Sequence, residues 1–122
     1  MILADTTIWI DHLRRNNAQM QALLDSGQVL MHPFIAGELA LGSLRNRTGT
    51  LATLDALLEV RIAQLSEVRQ MIETRQLYAK GIGLIDAHLI ASCLITPGTK
   101  LWTRDNALQG VTQAVGIDAG LP

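Results

Sequence analysis

The chain switches repeatedly between short apolar runs and longer stretches of helical periodicity. That alternation restricts the fold more than any other feature. Residues 1–5, 29–31, 60–63, 101–103 and 115–117 each read as a short strand. Between them, helices are predicted over residues 7–13, 18–25, 34–44 and 84–95, with a short one before the last strand. Two more are predicted, one from a cap at Thr48 or Thr50 to Leu58 and one from a cap at Ser66 through Tyr78. Gly27 and the Gly81/Gly83 pair punctuate the pattern, and Pro33 suits the first turn of a helix. Strands alternating with helices predict an α/β fold around a parallel sheet. In such sheets, sites form beyond the carboxyl ends of the strands.

With 122 residues the chain makes one domain, 1–122, with no repeats or linkers. Aromatics are limited to two Trp, one Tyr and one Phe, so the core is expected to be aliphatic. The single cysteine, Cys93, excludes an internal disulfide and a cysteine-rich zinc site. The opening Met1-Ile2-Leu3-Ala4-Asp5 has no basic segment and does not read as a signal peptide. No apolar run has the length of a membrane span, so the expectation is a soluble cytoplasmic protein with no membrane partner. The net charge of −1 gives no support to nucleic-acid binding by bulk charge.

Four acids stand out. Asp5 ends the first strand and Asp105 follows the fourth. Glu38 lies four and three residues after Phe34 and Ile35 and three before Leu41, so it interrupts an apolar stripe. Asp86 precedes Leu89, Ile90 and Cys93 by three, four and seven, at the edge of another. Each helical acid has a plainer reading too: Glu38 as a stripe-edge residue reaching solvent, Asp86 as a first-turn acid favoured by the helix dipole. Clustered, the four would need compensation. Two charges ~4 Å apart repel by roughly 4 kcal/mol at an effective dielectric near 20. A hard cation, Mg²⁺ or Mn²⁺, takes oxygen ligands and relieves that repulsion. It also polarises phosphate and lowers the pKa of a bound water. The pattern therefore points to phosphodiester hydrolysis.

Thr6 and Thr103 are the neighbouring hydroxyls that can orient a ligand or bind phosphate, although Thr6 also reads as a helix cap. Arg14, Arg15, Arg45 and Arg47 can form a rim for RNA, and Arg104 can meet a phosphate. Their alternative is an ordinary solvated face. His12, His32 and His88 assemble into no site and read as structural, and Cys93 reads as core.

The residues that carry this pattern resemble a known family. The opening run through Asp5-Thr6-Thr7, then Gly37-Glu38-Leu39-Ala40-Leu41-Gly42, then Gly81 to Ala91 around Asp86, then Leu101-Trp102-Thr103-Arg104-Asp105 look like the four blocks of a VapC-type PIN domain, in order. The resemblance spans essentially the whole chain. It implies a three-layer α/β/α fold with a short parallel central sheet. It also implies an acidic metal site in which Asp5, Glu38, Asp86 and Asp105 match the family's four acids, with Asp5, Asp86 and Asp105 as metal ligands. Thr6 and Thr103 match the hydroxyl residues beside them. The family's toxins are Mg²⁺- or Mn²⁺-dependent endoribonucleases that cut tRNA or ribosomal RNA. They usually dimerise and are silenced by a VapB antitoxin.

Three other readings fit less well. A phospho-receiver signalling module needs a second acid after Asp5, where Thr6 and Thr7 stand. A haloacid-dehalogenase-type phosphatase needs an Asp at position 7, which is Thr7. A non-catalytic RNA- or antitoxin-binding scaffold keeps the fold but leaves the cost of four acids unexplained.

Overall fold

The computed structural model describes all 122 residues. Three strands form a wholly parallel sheet in the order β2-β1-β3: β1 (Ile2–Ala4), β2 (Val29–Leu30) and β3 (Lys100–Trp102). Ile2 and Leu3 pair with Val29 and Leu30 on one side, and Ile2, Leu3 and Ala4 with Lys100, Leu101 and Trp102 on the other. Leu3, Ala4, Leu101 and Trp102 are almost wholly buried, as expected of a parallel sheet covered on both faces.

Seven helices complete the chain: α1 (Thr6–Arg15), α2 (Ala18–Asp25), α3 (Pro33–Ala40), α4 (Arg47–Asp55), α5 (Leu65–Thr74), α6 (Leu84–Ile95) and α7 (Asn106–Val115). The strand order dictates their layering. The chain leaves β1 for β2 in one direction and returns past β1 to β3 in the other. Right-handed crossovers then put the two sets of helices on opposite faces. The result is the expected α/β/α arrangement. The loops after β1 and β3 diverge, which opens a crevice at their carboxyl ends. One apolar cluster of 21 residues, mostly aliphatic with Trp9 and Trp102, forms the core.

Several expected elements differ. Residues 60–63 are not a strand: only Glu59 bridges to Met31, and Val60 donates its N–H to the Met31 carbonyl. Beyond it Arg61 and Ile62 are both exposed, so the period of two is lost, and Arg61 N–H turns instead to Thr96 Oγ1. Residues 115–117 are not a strand either. Helix α7 runs to Val115, Gly116 ends it at φ +85°, and a lone bridge joins Leu101 to Asp118. Helix α3 stops at Ala40 rather than Leu44, where Arg47 donates to the Ala40 and Gly42 carbonyls, and Leu41 is 83% exposed. Asn46 rather than Thr48 or Thr50 precedes α4. Gln64 rather than Ser66 begins α5, where Gln64 N–H donates to Glu67 across the first turn. That helix ends at Thr74 rather than Tyr78, and the loop beyond carries left-handed Gln76 and Ala79.

Candidate active site

Asp5 lies just past β1, in the crevice between β1 and β3. Its backbone N–H still reaches Trp102 O at 3.0 Å, so its position is fixed by the sheet. Its side chain caps α1: Oδ1 accepts from the N–H of Thr7 at 3.0 Å and of Ile8 at 3.3 Å, and from the Thr7 hydroxyl. Oδ2 accepts from the Thr103 hydroxyl, 98 residues away in the chain. Only 4% of the residue is exposed. Burial pushes its carboxyl above the usual range, opposed by the hydroxyls of Thr103 and Thr7 and the amides of Ile8 and Thr7. An isolated buried carboxylate would cost several kcal/mol. The four donors offset much of that cost.

The two threonines stitch the loops together. Thr103 Oγ1 donates to Asp5 and accepts from the N–H of Asp105 at 3.0 Å. Thr7 Oγ1 donates to Asp5 and accepts from the N–H of Arg104 at 3.1 Å. Asp105 is exposed and caps α7, with Oδ1 accepting from Leu108 N–H at 2.8 Å. Asp86 is half-buried in the first turn of α6, with Oδ2 accepting from Gly83 N–H at 3.1 Å. The loop before it reaches α7: a Cβ at Gly81, where φ is +79°, would lie 3.5 Å from the Ala107 side chain. The loop that leads into α6 thus touches the first turn of α7.

Glu38 takes the plainer of its two readings and reaches solvent. Phe34 and Leu41 are exposed, so the stripe it was expected to interrupt is open to solvent. Glu38 is exposed too, beside Ile10, Leu13 and Arg14 on α1. Among His, Cys, Asp and Glu side chains, no three converge closely enough to form a ready metal-binding group. The geometry joins Asp5 to Asp105 through Thr103 and sets Asp86 on the neighbouring helix start.

Thr6 is half-buried and makes no side-chain hydrogen bond. Thr7, which sequence reasoning passed over, takes the supporting part. The available signal was its place two residues after an N-cap Asp. Arg14 and Arg45 line one groove with Leu13, Ser43 and Leu44. Arg47 instead caps α3, donating to Ala40 O and Gly42 O. Arg104 pairs with Asp11 at 3.1 Å and donates to Pro122 O. Arg15 is exposed at the end of α1. The histidines sit in structural positions. His12 accepts from Asn17 N–H, and His32 caps α3 through Phe34 N–H beside the buried His88. Burial pushes the Cys93 thiol up to about 12, so it stays protonated in the core.

The PIN domain family model matches residues 2–113. In each of two strains of Mycobacterium tuberculosis, the chain is similar to Ribonuclease VapC32. The identity is 37% over 117 residues, covering 96% of this chain and 94% of that protein.

Proposed function

We propose that this chain, which belongs to the PIN-domain family as a VapC-type ribonuclease, is the toxin of a VapBC-type toxin–antitoxin pair. It is a Mg²⁺- or Mn²⁺-dependent endoribonuclease that hydrolyses phosphodiester bonds in tRNA or ribosomal RNA and so inhibits translation. It works as a homodimer and is held silent by a VapB-type antitoxin. The observation that carries this reading is the buried carboxylate of Asp5, kept at the β1/β3 crevice and tied to Asp105 through Thr103.

The donor set suits a hard cation. Asp5, Asp86 and Asp105 offer only carboxylate oxygens, the ligands Mg²⁺ and Mn²⁺ prefer. Asp86 and Asp105 each engage one oxygen with a backbone N–H and leave the other without a protein partner. Asp5 Oδ2 accepts a single hydroxyl and keeps a lone pair. These three residues do not converge on one point in the free chain; drawn together by the ion they would hold it, and it would supply Lewis-acid chemistry at the phosphate and acidify water. The chain's own residues do the rest. The hydroxyls of Thr7 and Thr103 favour the charged form of Asp5 and fix which way its oxygens point. Thr103 also holds Asp105 N–H, so the two acids keep a constant relation through one side chain. Glu38 completes the acidic set from α3, which packs on the helix that Asp5 caps. Its solvent position gives it the loosest tie to the site.

The test is cleavage of total cellular RNA by antitoxin-free protein with Mg²⁺, Mn²⁺ or EDTA, alongside an Asp5→Ala variant with Mn²⁺. Discrete fragments that require metal and vanish with Asp5→Ala are expected, and their mapped ends name the RNA. Cleavage that survives both EDTA and the substitution would sink the reading.

A further inference from the structure

A second polar region begins where the acidic site ends. Helix α7 and the loop after α5 enclose a groove of about 640 Å³. Arg75, Gln76 and Lys80 line one side of it and Asn106, Ala107 and Val111 the other. No acid lines it. Asn106 and Ala107 directly follow Asp105, and Lys80 stands six residues before Asp86 on the loop that abuts Ala107. The groove then follows α7 to Val115, about 15 Å at the helical rise.

Its cations are uncommitted. Of the ten Lys and Arg residues, Arg47, Arg61, Lys100 and Arg104 are tied to backbone carbonyls or to Asp11. Arg75 and Lys80 are exposed and their side chains make no hydrogen bond or ion pair. The other groove with two free cations, that of Arg14 and Arg45, is less well placed. Arg14 lies nine residues along α1 from Asp5, roughly 14 Å at the helical rise, on the side of Glu38, the acid with the loosest tie to the site, whereas Asn106 and Ala107 of the Arg75–Lys80 groove directly follow Asp105.

We infer that the Arg75–Lys80 groove is the track for single-stranded RNA leaving the acidic site. Arg75 and Lys80 hold consecutive stretches of phosphate, and the apolar floor of Ala107 and Val111 accepts the sugar and base faces. This rests on the ribonuclease reading above and adds the residues that position the substrate. In a chain of net charge −1, affinity for RNA then comes from a local pair of cations rather than from the surface as a whole.

The test measures binding separately from cleavage. In an Asp5→Asn background, fluorescence anisotropy follows a fluorescein-labelled single-stranded RNA oligonucleotide of mixed sequence across a salt series. Adding Arg75→Ala and Lys80→Ala is expected to weaken binding about tenfold. It should also reduce the slope of log K against log salt by about 1.4, at roughly 0.7 per lost phosphate contact on a single strand. Arg69→Ala, exposed on α5 outside the groove, is expected to leave both unchanged. Unchanged binding in the Arg75/Lys80 double variant overturns the inference, as does no binding by the parent. Transfer of the whole effect to Arg14→Ala with Arg45→Ala also overturns it. With Asp5 intact, the Arg75/Lys80 double variant should raise KM for RNA and hold kcat. If it cleaves like the parent, the groove fails and the nuclease stands. If the parent cleaves nothing, the nuclease reading fails and the binding series still decides the groove.

Discussion

Asp5 and His32 occupy equivalent places in the fold. Each follows the carboxyl end of one of two adjacent parallel strands, each caps the helix that leaves it, and each is almost wholly buried. Their treatment is opposite. Asp5 receives four hydrogen bonds, two from amides and two from hydroxyls. His32 receives one, from Phe34 N–H at 3.0 Å, and its Nε2 has no partner. The neighbouring His88 likewise leaves Nδ1 unpartnered. The donors around Asp5 oppose the upward push of burial and favour its charged form. His32, left with a bare nitrogen, is kept neutral and serves as packing. Burial alone therefore does not mark a site here; the supply of donors does.

The largest effect is expected of Asp5→Asn. Asparagine keeps an oxygen to cap α1 but loses the charge. Activity should fall about a hundredfold or more, since even partners of a metal ligand are commonly worth 10–100-fold. Because the Asp5 carboxyl is pushed up by burial, its charge costs the fold stability above its ordinary range, so the variant's melting temperature should hold or rise. A fall in stability that matches the fall in activity would show that Asp5 is only a cap.

The His32 side is read by pH. Burial first, and the neighbouring His88 second, lower its pKa from 6.5 to about 4. Between those values the unfolded chain carries the proton and the folded one does not. The fold therefore loses stability as pH falls through this window, by up to about 3 kcal/mol, and keeps it above 6.5. Urea unfolding at pH 7 and pH 4.5 measures the loss. His32→Asn, which retains a cap acceptor, should flatten it. An equal slope in the variant would move the acid sensitivity elsewhere.

Thr103→Val tests the donor side at a smaller scale. It removes one hydroxyl from Asp5 and leaves Asp105 N–H without its acceptor. A loss of about tenfold in metal-dependent cleavage is expected, with about 1–2 kcal/mol of stability. Thr103→Ser should restore most of both. Failure of serine to rescue would mean that the methyl group's packing, not the hydroxyl, is what matters there.

Much of this is legible in the sequence. The alternation of apolar runs and helices gave the parallel α/β class, and Asp5 and Asp105 stood out because each follows such a run. Local chemistry also located α2 and α6 to the residue. The misses were long-range or cooperative. Glu38 had two readings, an acid interrupting an apolar stripe or one reaching solvent at its edge; α3 buries Ile35 and Leu39 and leaves Phe34, Glu38 and Leu41 exposed, a choice of face that only packing makes. Thr7 was passed over for Thr6 because adjacent hydroxyls look alike until the cap direction is known. Arg47 and Arg104 looked available for RNA because nothing local shows that a carbonyl or Asp11 will claim them.

By itself, the sequence determined which segments can be helices or strands, that the core is aliphatic, and which acids stand at strand ends. Those properties follow from side-chain periodicity and chain stiffness over a few residues. The tertiary structure alone decided that β1 lies between β2 and β3. That order sets Thr103 against Asp5 across 98 residues and opens the crevice between them. It also decided that near residues 60 and 117 the sheet gains only the single bridges Met31–Glu59 and Leu101–Asp118 rather than full strands, and that Arg75 and Lys80 keep their charges free. Pairing, burial and competition for partners depend on what else arrives at the same place, and no local window of sequence carries that information.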